Sequence, residues 1–479
     1  MATSGGSLND ARSTTSVLPT KGNQSLAKRL LFPHLPPNTP LPPFLASPAA
    51  ASQLNPELHE FLALALRAYV QPWWSKISKY DKDFIPSIAE VIIFFSQTVE
   101  QRLIASSPHL ITALCCDWPN LLEQHYTDYR NATRKVGTSY ASGGELSLAA
   151  LFHASQRHMA IDDQGFVNET YLCLSVEHVM KRCLPPEDWN SEAERAIVRE
   201  LVVRLLLDMV WGRIAKPWFW MKLTLDLLGP PPESNHKPRQ HGRITIHGLL
   251  ILFLSSVQSL SGFALFLIAL VQSTYALVLS VAASSDMPPM PYSGSLTKPS
   301  IDVIAQVLSL RNRNTSTAVL SLSYRIVRFL DPFLNRLIPY LFYTYVTPEF
   351  LLKVVRLSKT TLFPNNGYPG PPFEEPSVEE QMDIRFQLEE RLLQVMPGFL
   401  GTLLLGSTEE VRRQTIRDAI DPLSSRLCNI HLLMFLFDDL VLTIFPDLGL
   451  NDPASNTDMD GSVEDRDGSL TPPDPLFPP

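Results

Sequence analysis

The chain has 479 residues, 45% hydrophobic and 18% charged, with a formal net charge of −8 and a mean hydropathy of +0.03. That length buries a sizeable core over about two or three domains, and the low charge excludes an overall disordered protein and leans toward apolar ligands or membrane contact. Most of the negative charge lies after Leu450, so the body is near neutral; with no basic field, zinc finger or helix-turn-helix signature, nucleic acid is excluded as a partner.

Residues 1–53 are rich in Ser, Thr and Pro, with Pro33, Pro36, Pro37, Pro40, Pro42, Pro43 and Pro48 crowded together. Such a run sustains neither a helix nor a packed core and reads as a disordered arm. Order is expected from Asn55-Pro56, where Asn55 can cap and Pro56 suits a first turn, and Leu58, Phe61, Leu62, Ala65, Leu66 and Tyr69 recur at helical spacing. Helix follows helix to Leu228. Val91, Ile92, Phe95 and Val99 share a broad apolar face, and Ser191 with Glu194 forms an S-x-x-E box ahead of Ile197, Leu201 and Leu205. Gly229 and Pro230, Pro231 and Pro232 close this first domain, 54–230.

The linker, 231–300, contains Ile244 to Ser285, about forty residues without Asp, Glu, Lys or Arg, which as one helix would be roughly 60 Å long, twice a bilayer core. A polar cluster from Ser255 to Gly262 splits off Phe263 to Ala283, a run long enough to span. Three readings stand: a membrane hairpin carrying Phe263, Phe266, Leu267 and Leu270 into lipid, helices lining a protein channel, or a single span. Lys237, Arg239 and Arg243 would hold the entering end in the cytosol.

Helical patterning resumes over 301–450. Between Val303 and Thr347, Arg311, Arg313, Arg325, Arg328 and Arg336 face only Asp331 and interleave with Phe329, Phe333, Tyr340, Phe342 and Tyr343. Arg325 and Arg328 are membrane-contact candidates; the competing reading is a solvated bundle face. Ser377-Val378-Glu379-Glu380 and Ser407-Thr408-Glu409-Glu410 are two further capping boxes, and the last helix runs from Leu423 to Phe445. Residues 451–479 form an acidic tail expected to be disordered.

Chemical motifs are sparse. Asn456, Asp458, Asp460 and Gly461 have EF-hand spacing, but prolines flank them where helices belong. Cys173, His178 and Cys183 do not share a helix face, so no metal or cofactor is expected. The five cysteines form neither a disulfide framework nor a CxxC pair, which suits a reduced, cytosol-facing setting. No nucleophile elbow, Walker loop, zincin helix or dinucleotide fingerprint is present, so no catalytic residue is named and an enzyme is not expected. The first residues lack a signal peptide's apolar core, so membrane attachment is expected to come from within the chain.

Two regions resemble known modules. Gln71-Pro72-Trp73-Trp74 with Asp83-Phe84, Trp118 through Arg130, Leu184-Pro185-Pro186-Glu187-Asp188, Arg199-Glu200-Leu201 and Lys216-Pro217-Trp218-Phe219 resemble the PXA (PX-associated) domain. Met396-Pro397, Leu405-Gly406, Asn429-Ile430-His431-Leu432, Leu436-Phe437-Asp438 and Phe445-Pro446-Asp447-Leu448 resemble the nexin C-terminal module. The PX and RGS domains that lie between these modules in sorting nexins are not recognised, so a phosphoinositide reading is not carried over. The resemblance implies an all-α body in which the two halves pack around an apolar channel. The expected role is phospholipid binding, transfer or tethering on the cytosolic face of the endoplasmic reticulum or of endosomal and vacuolar membranes. Candidate channel residues are Val91, Ile92, Phe95, Val99, Ile197, Leu201, Leu205, Leu432, Leu436 and Leu440. Two alternatives are a trafficking scaffold recruiting proteins through its disordered ends and a membrane-shaping hairpin protein.

Overall fold

The structure, a computed structural model, describes residues 25–36, 38–48, 53–78, 80–139, 142–162, 164–229, 278–281, 288, 290–365, 367–370, 375–396 and 401–449, without the side chains of 142, 186, 188, 193, 194, 201 and 209. The regular structure among the described residues is helical, with isolated bridges at Ile161–Val167 and Asn365–Tyr368 and no strand. The fold class is therefore all-α. The candidate residues Phe263, Phe266, Leu267 and Leu270, with nearly all of the uncharged stretch, lie outside the described residues, as does the EF-hand-like tail.

After a short α1 (Leu26–Leu31), α2 (Leu54–Ala65) runs through a π-helical turn, Leu66–Val70, into α3 (Gln71–Ile77). Next come α4 (Phe84–Ala105) and α5 (Ser107–Thr112), the latter joined by a π turn to α6 (Trp118–Lys135), and then α7 (Leu148–Ser155), α8 (Glu169–Cys183) and α9 (Pro186–Asn190). The first half closes with α10 (Glu192–Leu205), its π extension Leu206–Ile214, and α11 (Pro217–Leu228). Proline sits in the first turn of α3, α5, α6 and α11, where its missing N–H costs nothing. Ser191 stands at the start of α10 as expected, but its side chain makes no capping bond.

The second half comprises α12 (Lys298–Val307), a 32-residue α13 (Asn314–Tyr345), α14 (Pro348–Leu362), α15 (Val378–Val395), α16 (Glu409–Ile420) and α17 (Arg426–Ile444). The Ser377 box forms in full, with both the Ser377 and Glu380 side chains engaged. At α16 the register differs by one residue from the expected box: Thr408, with extended backbone, caps the N–H of Val411, and Ser407 lies outside.

The expected arm is not wholly free. Residues 25–36 and 38–48 pack on α2 and α4, burying Leu31, Phe32 and Phe44 against Leu62, Leu66, Ile88 and Ile93. Prolines forbid a regular helix here but not docking, because side chains supply the missing polar partners. Asn55, expected as a cap, instead brackets Leu45 by accepting its N–H (2.9 Å) and donating to its carbonyl (3.3 Å). Glu100 accepts the N–H groups of Ala46 and Ser47. His59, fully buried, donates through Nδ1 to the Asn55 carbonyl at 2.8 Å and lies edge-on to Phe32 and Phe44.

The two halves share cores rather than touching at a rim. Leu172, Val176 and Met180 of α8, with Val203 and Trp211, are buried together with Ile430, Leu433 and Met434 of α17. Each such fully buried aliphatic side chain contributes roughly 2 kcal/mol. In a second shared core, Met221 of α11 packs with Leu388, Leu405, Ile416 and Ile420. Arg391 seals the end of α11 by donating to the Leu228 and Gly229 carbonyls at 3.1 Å, at the point where Gly229 adopts a positive φ of 68°.

Candidate functional site

The seam between the halves is where the sequence places its unusual polar residues. Helix α17 starts with Ser425 capping Cys428 N–H and enters the first half with Cys428 to Met434 all buried. Asn429, 1% exposed, donates to the Ala215 and Leu423 carbonyls at 3.0 and 2.9 Å, so an amide from the second half caps the chain between α10 and α11.

Four histidines gather on this helix. His125 of α6 has Nε2 3.2 Å from the Pro422 carbonyl, and burial holds its pKa down to about 4. His431 lies 3.4 Å from Nδ1 of His153 through Nε2; burial, then the neighbouring histidines, likewise hold it down to about 4. Both rings are neutral at physiological pH, and Phe152 stands edge-on to each. His158 donates through Nε2 to Asp438 Oδ2 at 2.8 Å and accepts the Ala160 N–H through Nδ1 at 3.1 Å. The Tyr171 hydroxyl donates to the same Asp438 oxygen at 2.9 Å; burial and that carboxylate push its pKa up to about 12. With both His158 nitrogens engaged, this cluster ties the loop after α7 and helix α8 to α17. Asp439 accepts from Trp118 Nε1 at 3.0 Å, and Asp447 takes both Arg102 (2.8 Å) and Arg182 (3.2 Å). Among the described residues no group of three His, Cys, Asp or Glu side chains is placed to hold a metal ion. Burial pushes the thiols of Cys116, Cys183 and Cys428 up to about 11, which leaves them protonated.

Among the cavities along the seam, two of similar size differ in chemistry. One of about 290 Å³ is polar, bounded by His125, Asp128, Gln156 and Leu432, with Asp128 accepting from Gln124 and Gln156. The other, also about 290 Å³, is walled by apolar side chains of both halves, among them Trp220, Met221, Leu308, Leu388, Leu405 and Ile416. Its size is at the lower edge of small-molecule pockets. No charged side chain lines it, so it can take a hydrocarbon group and offers nothing to fix a headgroup.

None of the sequence candidates lines this apolar cavity. Val91, Ile92, Phe95 and Val99 are half-buried on α4; Ile92 packs against the N-terminal core and Phe95 joins the core of the seam. Ile197 is half-buried and Leu205 is 61% exposed on α10, while the Leu201 side chain lies outside the described residues. Leu432 is buried and borders the polar cavity, and Leu436 and Leu440 are half-buried further along α17. Arg325 and Arg328 are exposed on α13. The cavity residues carry one sequence signal, the spacing of Leu388, Leu392 and Val395 on α15, which does not separate a cavity wall from a closed core. Trp73 and Trp74 are half-buried, with Trp74 stacked 3.6 Å from Phe84.

Comparison with known proteins agrees with the reading of the first half. The chain is 29% identical over 150 residues to PXA domain protein 1 of Schizosaccharomyces pombe, a match that covers 31% of this chain and 29% of that relative. The matched part thus spans under a third of the relative's length. No solved structure matches. The family model described as PXA domain matches residues 51–227, from the residues leading into α2 to the last turn of α11, and this helical half of the chain is a PXA domain.

Proposed function

We propose that the chain is a non-enzymatic lipid-binding protein whose PXA domain and following helices together enclose an acyl chain. The observation that carries this reading is the cavity walled by apolar residues from both halves, Trp220 and Met221 on one side and Leu308, Leu388 and Leu405 on the other. Each methylene transferred there from water contributes about 0.8 kcal/mol, so a hydrocarbon tail binds without a charged headgroup contact. A cavity of about 290 Å³ takes part of one chain, and a two-chain phospholipid would leave its second tail outside. Extraction, transfer or tethering at the cytosolic face of the endoplasmic reticulum or of endosomal and vacuolar membranes would follow from such binding, in line with the PXA and nexin-C resemblance.

The test is to purify the full chain without detergent, extract it and quantify lipid by mass spectrometry, alongside a Val307→Trp variant that fills the cavity. About one lipid per chain in the wild type and a sharp loss in the variant, with unchanged thermal unfolding, support the proposal. A folded wild type free of lipid, or equal occupancy in the variant, sinks it.

A further inference from the structure

Helix α13 is held by one face and bare on the other. Its inner face is fixed at intervals along its length: Ser316 donates to the Leu403 carbonyl at 2.9 Å, and Leu320 is buried. Tyr324 donates to Asp302, Asn335 donates to the Gly294 carbonyl at 2.8 Å, and Tyr343 meets Ser107 at 3.0 Å. The positions between, spaced alternately four and three apart, form one outward stripe: Ala318, Leu322, Arg325, Phe329, Pro332 and Arg336 are all exposed. Phe329 is 83% exposed, Leu322 57% and the adjoining Ile326 49%, which is unusual for apolar side chains of this size gathered on one helix face.

The charge on this stripe is of one sign. Arg325 and Arg336 on the stripe and Arg328 at its flank are exposed and make no ion pair among the described residues. The helix carries a single acidic residue, Asp331, which accepts a hydrogen bond from Ser295 at 2.5 Å and belongs to the inner side. A solvated bundle face would pair its arginines with acids along the helix, as α16 does with Glu409 and Arg413. Nor do the described residues cover Phe329, as they cover Leu320 on the inner face. Apolar side chains that interleave with unpaired arginines meet both demands of a lipid headgroup region, hydrocarbon just below the surface and phosphate at it.

We propose that the outward stripe of α13 is a docking face for an anionic phospholipid surface, with Leu322, Ile326 and Phe329 entering the acyl boundary and Arg325, Arg328 and Arg336 meeting phosphates. This goes beyond the acyl cavity, which lies elsewhere, and does not depend on it. The next helix continues the same chemistry: α14 exposes Phe350, Val354 and Leu357 beside Lys353.

The test is co-sedimentation of the full chain with vesicles of phosphatidylcholine alone and of phosphatidylcholine with about a quarter phosphatidylserine, at about 0.1 M and 0.5 M salt. Wild type should favour the anionic vesicles and lose that preference at the higher salt. R325Q/R328Q/R336Q should weaken partitioning by about fivefold per arginine, about a hundredfold in all, whereas R325K/R328K/R336K retains it. Phe329→Asp should cost about tenfold or more. All these positions are exposed, so unchanged thermal unfolding separates lost docking from lost fold. The proposal is overturned if the triple glutamine variant partitions like wild type, or if neutral and anionic vesicles bind equally. It is overturned equally if Phe329→Asp leaves vesicle binding intact and instead dissociates a dimer in solution, which would make the stripe a contact between copies.

Discussion

Helices α13 and α17 draw on the same residues, Leu, Ile, Val and Phe in long runs, yet one ends in a core and the other at the surface. By length and apolar composition α17 is fit to cross a bilayer, and it is instead the keystone of the seam, with Cys428 to Met434 buried. Helix α13 is interrupted by arginines and by Pro332 and Pro339, and it leaves Phe329 almost bare. Apolar content therefore predicts that a helix needs cover, not what the cover is. The deciding residues are polar: Asn429, His431 and Asp438 each have a specific partner waiting in the PXA domain, whereas the α13 arginines have none.

That contrast can be broken most directly by deleting apolar volume from each helix. Met434→Ala in the seam core should cost about 2–5 kcal/mol in urea or thermal unfolding, while Leu322→Ala on α13 should stay within about 0.5 kcal/mol. Equal costs would erase the distinction. Acid should sharpen it. His125 and His431 are neutral in the folded chain down to about pH 4, but titrate near 6.5 when unfolded. Between those values the unfolded state binds more protons, so stability is fully present above pH 6.5 and falls as the pH drops toward 4. At pH 5 each histidine removes about 2 kcal/mol, measurable as a lower urea midpoint, and His431→Phe should flatten the profile. Asp438→Asn, which weakens the ties to His158 and Tyr171, should cost about 1–3 kcal/mol at neutral pH. At the small end, Thr408→Ala should cost about 1 kcal/mol and Ser407→Ala close to nothing, since only Thr408 caps α16.

The all-helical class and most helix starts were readable because capping and periodicity are local. Ser377 and Glu380 form their box as the spacing predicts, and α2 begins at Leu54, two residues before the start that an Asn55 cap would set. What failed was anything decided by distant partners. Residues 25–48 read as an arm because prolines exclude regular structure, yet Asn55 and Glu100 hold them down through bonds no local pattern announces. Leu405 and Ile416 border a cavity while Met434 fills a core, and nothing in the spacing of an apolar residue tells those two situations apart.

The Asn429 side chain caps Ala215, a residue 214 positions earlier in the chain. Ribosomes add residues at about 5–20 per second, so roughly 10–40 s separate the emergence of the PXA domain's half of this core from that of the helix which completes it. During that interval Leu172, Met180 and Trp211 lack the side chains of Ile430, Leu433 and Met434 that cover them in the finished fold. A nascent chain stalled before α17 would present that apolar surface without its cover, the kind of exposure that favours aggregation and chaperone capture.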